Sequence, residues 1–386
     1  MACRKAGGGM ESPLVVVLGG YGNTGRACAR LLLERTSARV VIAGRDRDRA
    51  EGLARELNAG HGGGRASSAH ADASDAPSLQ AAFRGACVVV AASSTSEHVA
   101  GVARAVLEAR ADYIDPQYST AKLEVLRRLA PEIEAAGLCF VTDGGFHPGL
   151  PAALIRFAAS RMDRLQRARV SSVIQINWSA LELSPATVRE LVLEFKDYRS
   201  LHYRDRSWVT PGWLESVRPF WVEFGHGYGR RYTMPMFLEE LRPLPEMIPT
   251  LEETGFFVGG FNPVVDFAIL PLGMAWMAVA GGRGANAFGR LLLWGLRRFT
   301  APPYGTLLQL DARGGTAAHA RRMRIAVSHP DGYVLTAAPM VGCMMQMLDG
   351  SARLPGLHLQ ALLVDPARLL NDLSSMGVEV AVEGPA

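Results

Sequence analysis

No CxxC pair, no long run of one charge and no clean apolar stretch of membrane-spanning length occur in this sequence, and each absence removes a class of protein. The five cysteines, Cys3, Cys28, Cys87, Cys139 and Cys343, are scattered and odd in number. That pattern argues against a disulfide framework and a zinc site, and it fits a reducing cytoplasm. The 41 basic and 37 acidic side chains leave a formal net charge of +4 without clustering. A nucleic-acid partner is therefore not expected, and a small anionic ligand fits better. Val264 to Ala280 is very apolar, but Asp266 and Pro271 interrupt it. It falls short of a membrane span and reads as a buried or dimer-interface helix pair. The opening MACRKAGGG has a positive start but no signal-type apolar h-region behind it, so no secretory signal is read there and residues 1–12 are expected to be a disordered leader. A P-loop lysine motif, HExxH and GxSxG are also missing. Phosphoryl transfer, zinc proteolysis and α/β-hydrolase chemistry thus lack their parts, and hydride transfer remains.

What is present begins with Leu14 to Arg26, LVVVLGGYGNTGR. The valine-rich run has the composition of a strand buried on both faces of a parallel sheet. It leads into Gly20-Tyr21-Gly22-Asn23-Thr24-Gly25, a GxGxxG turn followed by helical spacing. Gly20 permits the tight turn, Gly22 lets the backbone approach a pyrophosphate, and Gly25 lets the helix pack close to the strand. A phosphate there meets free N–H groups and the positive end of the helix dipole.

Strands are then expected near Val40 to Ala43, Arg65 to Ala71, Cys87 to Ala91, Asp112 to Ile114 and Leu138 to Val141, alternating with helical segments. This is the pattern of a doubly wound sheet. An NAD enzyme carries an Asp or Glu at the end of the second strand, whereas this chain has Gly44-Arg45-Asp46. Arg45 suits the 2′-phosphate of NADP, although it also reads as a solvated surface arginine. Asp72 ends the third strand, where it either touches adenine or caps the following helix. Ser93 and Ser94 follow the fourth strand, as a nicotinamide-ribose contact, a helix N-cap or both. The loops Asp115 to Ser119 and Asp143 to Pro151 follow the fifth and sixth strands, at the edge where ligands sit. Tyr118 and His147 are the proton-donor candidates on them, each with a structural alternative, and Gln117 and Phe146 are candidate substrate contacts.

The chain resembles the saccharopine dehydrogenase-like oxidoreductases with an N-terminal NADP-binding Rossmann domain. GGYGNTGR, AGRD, SSTSEHV, DPQYS and GGFHPGLPAALI fall at family-like spacings, and the last resembles the family's G-x-D-P-G loop. The similarity is best over residues 14–160. It implies NADP(H), a homodimer, and a C-terminal segment that folds back across the Rossmann domain. In saccharopine-forming enzymes the position of Tyr118 is also a tyrosine, whereas that of His147 is commonly aspartate. The family's Cys-Gly-Gly-Leu-Pro stretch is replaced by Asn177-Trp178-Ser179-Ala180-Leu181-Glu182. Trp178, Trp208, Trp213, Phe220 and Trp221 would make a wider, more apolar pocket, unless they are core, and Lys196, Arg199 or Arg204 would hold a carboxylate unless simply solvated.

The expected fold is α/β: a doubly wound parallel sheet over residues 13–160, an inserted α+β domain with a mainly antiparallel sheet over 161–330, and C-terminal helices over 331–386. In the second domain Ser184 to Tyr198 reads as a helix. Leu307 to Ala312 and Arg322 to His329 read as strands joined at Gly314-Gly315. Ala287 to Phe299 reads as an amphipathic basic helix packed on its neighbours, and membrane contact is not expected. The expected function is NADPH-dependent reduction of a C=N bond of a small metabolite. The alternatives are an enoyl reductase acting on an acyl or polyketide intermediate, and a non-catalytic NADPH sensor or lipid-associated scaffold.

Overall fold

The structure, a computed structural model, describes residues 12–61, 63–93, 96–181, 198–211, 220–225, 227–280, 284–316 and 319–384. It divides into two compact units. The first runs to Ala153 and takes up the chain again at Tyr333–Val378; the second is Leu154–Gly332 with the C-terminal strand.

In the first unit, β1 (Leu14–Leu18), β2 (Arg39–Gly44), β3 (Ala66–His70), β4 (Val88–Ala91), β5 (Asp112–Ile114) and β6 (Cys139–Thr142) alternate with five helices. These are α1 (Asn23–Arg35), α2 (Arg47–His61), α3 (Ala76–Phe83), α4 (Val99–Ala109) and α5 (Thr120–Ala135). All neighbouring strands are parallel, in the order β3-β2-β1-β4-β5-β6. The order reverses between β1 and β4, which is where a doubly wound sheet opens its ligand crevice. On one face Val16, Val89, Tyr113 and Phe140 pack against Val102, Val106, Leu126 and Ile133.

After α6 (Pro151–Arg161) the chain enters a nine-stranded sheet. It contains β7 (Leu165–Gln175), β8 (His202–Arg204), β9 (Ser207–Val209), β10 (Phe220–Phe224), β11 (Gly229–Met236) and β12 (Glu253–Gly259). The remaining strands are β13 (Gly305–Thr316), β14 (His319–His329) and the last strand of the chain. Among the described residues only the β7–β12 pair of this sheet is parallel. Two helices, α7 (Leu270–Ala280) and α8 (Ala285–Phe299), lie between β12 and β13.

Gly314 and Gly315 do not make the expected turn; they lie within β13. A Cβ on Gly314 would stand 1.7 Å from the Arg164 carbonyl oxygen, and the register with β7 slips beside it. The glycine there admits a neighbouring backbone. The expected helix over Ser184 to Tyr198 falls almost wholly outside the described residues.

The C-terminal segment is not all helical. After α9 (Gly332–Asp349), β15 (Gly356–Leu359) pairs in parallel with β6, completing a seven-stranded sheet. Helix α10 (Pro366–Ser375) follows, started by the Asp365 side chain, which accepts from the Arg368 amide at 2.9 Å. The final strand, β16 (Glu379–Glu383), pairs with β14. At four residues β15 is too short for its alternation to stand out from the helical pattern around it.

Candidate cofactor and active site

The glycine turn leaves β1 with the Gly19 and Gly20 amides both donating to the Ala43 carbonyl, at 2.8 and 3.1 Å. It is thereby tied to the end of β2. A Cβ on Gly25 would lie 2.3 Å from the Gly19 carbonyl oxygen, and one on Gly20 would lie 2.9 Å from Ile42. Neither position tolerates a side chain. Gly22 caps α1, with Asn23 and Thr24 in its first turn, and no side chain closes that helix end and no acid lies in it. The terminal amides are left for an anion, which is what a pyrophosphate requires.

Tyr21 spans the turn and the end of β2. Its hydroxyl accepts from the Asp46 amide at 3.1 Å, and the Arg49 guanidinium stands 4.7 Å from its ring. Gly44 is needed beneath it, since a Cβ there would lie 2.4 Å from the ring. Asp46 accepts from the Arg49 amide at 3.0 Å and starts α2. Its carboxylate is thus used locally, while Arg45 is exposed and, among the described residues, forms no ion pair. An exposed guanidinium beside an arginine-backed tyrosine fits a 2′-phosphate.

Asp72 resolves toward a structural role. Its Oδ1 accepts from the Ser74 amide and hydroxyl at 2.9 and 2.8 Å. These bonds, with help from Arg45 and His98, hold its carboxyl below the usual range. Ser93 lies against the turn, where a Cβ on Gly19 would meet the Ser93 Cβ at 2.4 Å. Its carbonyl accepts from the Gln117 side-chain amide, which links the loops after β4 and β5. Ser94 lies outside the described residues.

Behind these loops is a buried charge cluster that sequence reasoning missed. Lys122 Nζ lies 2.7 Å from Asp115 Oδ1 and 3.0 Å from Asp143 Oδ1, and the Lys122 and Asp115 side chains are fully buried. The same ammonium donates to the Gln117 carbonyl. Asp115 also accepts from the Gln117 amide and the Thr142 hydroxyl, each at 2.9 Å. Burial alone would lower the Lys122 pKa, but Asp115 and Asp143 outweigh it and raise it. One lysine thus fixes both loops that carry the proton-donor candidates. A signal was present: Lys122 shares the buried stripe of α5 with Leu126, Leu129 and Ile133, at helical spacing.

The loop after β6 is held in a conformation that needs glycine. Gly145 and Gly149 have φ of +137° and +125°, and a Cβ on Gly149 would lie 2.4 Å from the Gly145 carbonyl oxygen. Gln360, fully buried on the returning C-terminal segment, donates to both carbonyls at 3.3 and 3.4 Å. Asp143 takes a left-handed conformation, with φ of 54°. The Phe146 and His147 rings lie against one another at a tilt of 51°, with centroids 3.9 Å apart. The His147 ring nitrogens are shielded from water although the residue as a whole is half-buried. Burial pushes its pKa down to about 4, so the imidazole is neutral at pH 7 and supplies no imidazolium acid. Tyr118, half-buried on the Lys122-fixed loop, is the remaining hydroxyl donor of the expected pair.

Residues of the second unit fall on the packing side of the alternatives. Trp178 is 7% exposed in a core with Val265, Ile269, Phe288, Leu292 and Leu296, so it packs the helices instead of lining an open wall. Trp208 meets Tyr203 and Phe237 edge to face, and Phe220 meets Phe257 in the same way, which makes these rings packing elements. Arg199 and Arg204 face Glu239 and Asp205 at 3.4 and 3.8 Å. Lys196 and Trp213 lie outside the described residues.

Residues 15–141 match the family described as saccharopine dehydrogenase NADP binding domain. Across 97% of this chain and 100% of the other, the fold is similar to apo saccharopine dehydrogenase (L-Glu forming) from Saccharomyces cerevisiae, with a TM-score of 0.70 at 14% identity. A short-chain dehydrogenase/reductase from Veillonella parvula, solved with NADP, is similar over 34% of this chain and 68% of its own, with a TM-score of 0.27 at 14% identity. No curated protein matches the sequence.

Proposed function

With the chain a saccharopine dehydrogenase-like, NADP(H)-dependent oxidoreductase, we propose that it reduces a C=N bond of a small metabolite. The observation that carries this reading is the Asp115–Lys122–Asp143 cluster, in which two carboxylates meet one ammonium. These carboxylates lie behind both active-site loops and favour a cationic, protonated imine over a neutral enoyl group. The neutral His147 adds no opposing charge.

In this reading Gly20, Tyr21, Gly22, Asn23, Thr24 and Gly25 hold the pyrophosphate, and Arg45 holds the 2′-phosphate. Ser93 and Ser94 border the nicotinamide ribose, and Asp72 shapes the adenosine side through its turn. NADPH held there would supply the hydride for the imine carbon. The imine nitrogen arrives protonated or takes its proton from the Tyr118 hydroxyl. Gln117 orients the loop, and the Phe146–His147 pair shields the reacting bond from water. The reading includes a homodimeric, cytoplasmic, biosynthetic enzyme.

NADPH oxidation followed with imines formed from 2-oxo acids and amines, alongside enoyl thioesters, tests it. Turnover of imines, faster as the pH falls toward the substrate's own pKa, is expected. Turnover of enoyl thioesters without imines would refute the assignment, and NADPH binding without any turnover would leave a sensor.

A further inference from the structure

In the second unit α8 buries one face, while α7 touches the core through the partly buried Leu270 and Met277 and leaves most of its described side chains in water. Inward, Phe288, Leu292 and Leu296 pack with Ile269 around Trp178. Glycines set the close approach, since a Cβ on Gly273 would stand 2.0 Å from the Phe288 ring and one on Gly295 would stand 2.3 Å from Ile269. Outward, Leu272, Trp276 and Val279 on α7 are 69%, 58% and 91% exposed, and Leu291 and Trp294 on α8 are 43% and 54% exposed. A surface this apolar over two adjoining helices marks an interaction site.

Its charge says what it meets. Phe267 to Tyr304 contains four arginines and no aspartate or glutamate. Arg290, Arg297 and Arg298 line a shallow groove of about 450 Å³ beside Trp294. Arg297 is directed at the Trp178 and Leu181 carbonyls, at 3.3 and 3.2 Å. Among the described residues none of the three forms an ion pair. A second copy of this face would set arginine against arginine, with no acid in the segment to meet them. Exposed tryptophans and aliphatic side chains beside unpaired arginines are instead the chemistry of a helix lying at a lipid headgroup boundary.

We propose that α7 and α8 dock the protein on an anionic phospholipid surface. Leu272, Trp276 and Val279 enter the acyl boundary, and Arg290 and Arg298 engage lipid phosphates. Among the described residues no helix is long and apolar enough to cross a membrane, so the association is peripheral. It follows the lipid-associated alternative that the sequence left open instead of the main expectation, and it is independent of the imine reading.

Flotation of the full chain with vesicles of phosphatidylcholine alone, and with about 30 mol % phosphatidylserine added, tests it. The protein should float with the anionic vesicles, and high salt should release it. Arg290→Glu with Arg298→Glu should weaken this by at least about tenfold, with NADPH affinity and Tm unchanged. Leu272→Asp should weaken it too. Failure of the wild type to float, or equal flotation of the charge-reversed variant, overturns the proposal. So does an oligomer that dissociates on Leu272→Asp while the wild type ignores vesicles, because the face is then an interface between copies.

Discussion

Replacing Lys122 with methionine keeps the length of the side chain and removes its charge. The ammonium lies 2.7 and 3.0 Å from two carboxylates in a pocket without water access. Its loss strands Asp115 and Asp143 against one another. Breaking a buried ion pair from one side costs about 3–5 kcal/mol, a large part of the roughly 5–15 kcal/mol that holds an ordinary domain together. For a unit of this size Tm should fall by about 6–20 °C. The pH dependence should also change sign. In the wild type the Lys122 pKa is raised above its ordinary 10.5, so its stabilisation is complete below that value and is lost as the pH climbs through the folded value. In the variant two carboxylates are left close together without the ammonium between them, a like-charge repulsion that protonation relieves, so the deficit shrinks as the pH falls. Calorimetry at about pH 8 and about pH 5 reads the deficit and its closure, calorimetry above about pH 10.5 reads the wild-type loss, and adding Asp143→Asn should restore part of the deficit by removing one of the two facing charges. Because Lys122 also holds the Gln117 carbonyl, kcat should fall more than NADPH affinity. A Tm within about 2 °C of wild type at pH 8, or a gap that does not close on acidification, would refute the reasoning.

Arg45→Ala should weaken NADPH by about 10- to 100-fold and leave NADH nearly unchanged, the loss of charge-assisted bonds to a 2′-phosphate; fluorescence titration with both nucleotides decides it. Gly25→Ala, which puts a Cβ 2.3 Å from the Gly19 carbonyl oxygen, should abolish NADPH binding while leaving the second unit's sheet intact by hydrogen exchange. The His147 pKa, lowered to about 4, contributes stability that is complete above its unfolded value near 6.5 and is lost as the pH falls toward 4, on the order of 3 kcal/mol. His147→Asn should flatten that acid limb in urea titrations. The turnover rate should show no ionisation of this histidine between about pH 6 and 8.

The nucleotide-binding unit was legible because its signals are local. The buried valine run, the three glycines and Gly44-Arg45 each act within a few residues of themselves, and periodicity located β1 and β5 at their observed limits. The charge cluster was not legible in the same way. Asp115, Lys122 and Asp143 come from different segments of the chain, and only the fold shows that they meet. Gln360 is farther still, since its contacts with Gly145 and Gly149 span more than 200 positions. Trp178 misled because an aromatic residue in a rebuilt stretch looks the same in sequence whether it faces a ligand or a core. The apolar Val264 to Ala280 stretch was ambiguous for a related reason, as hydrophobicity does not say which face of a helix finds a neighbour.

The pairing of β15 with β6 also bears on how the protein is made. Gly356 lies opposite Cys139, and Arg353 reaches Asp112 through two bonds, at 2.7 and 3.0 Å. A ribosome adding about 5–20 residues per second takes on the order of tens of seconds to travel between those positions. Throughout that interval β6 is a bare parallel edge, and the loop that Gln360 later clamps has no clamp. The half of the molecule that begins emerging first is therefore among the last to be finished, and a nascent chain stopped after β6 would present an open strand to chaperones or to its neighbours on the same message.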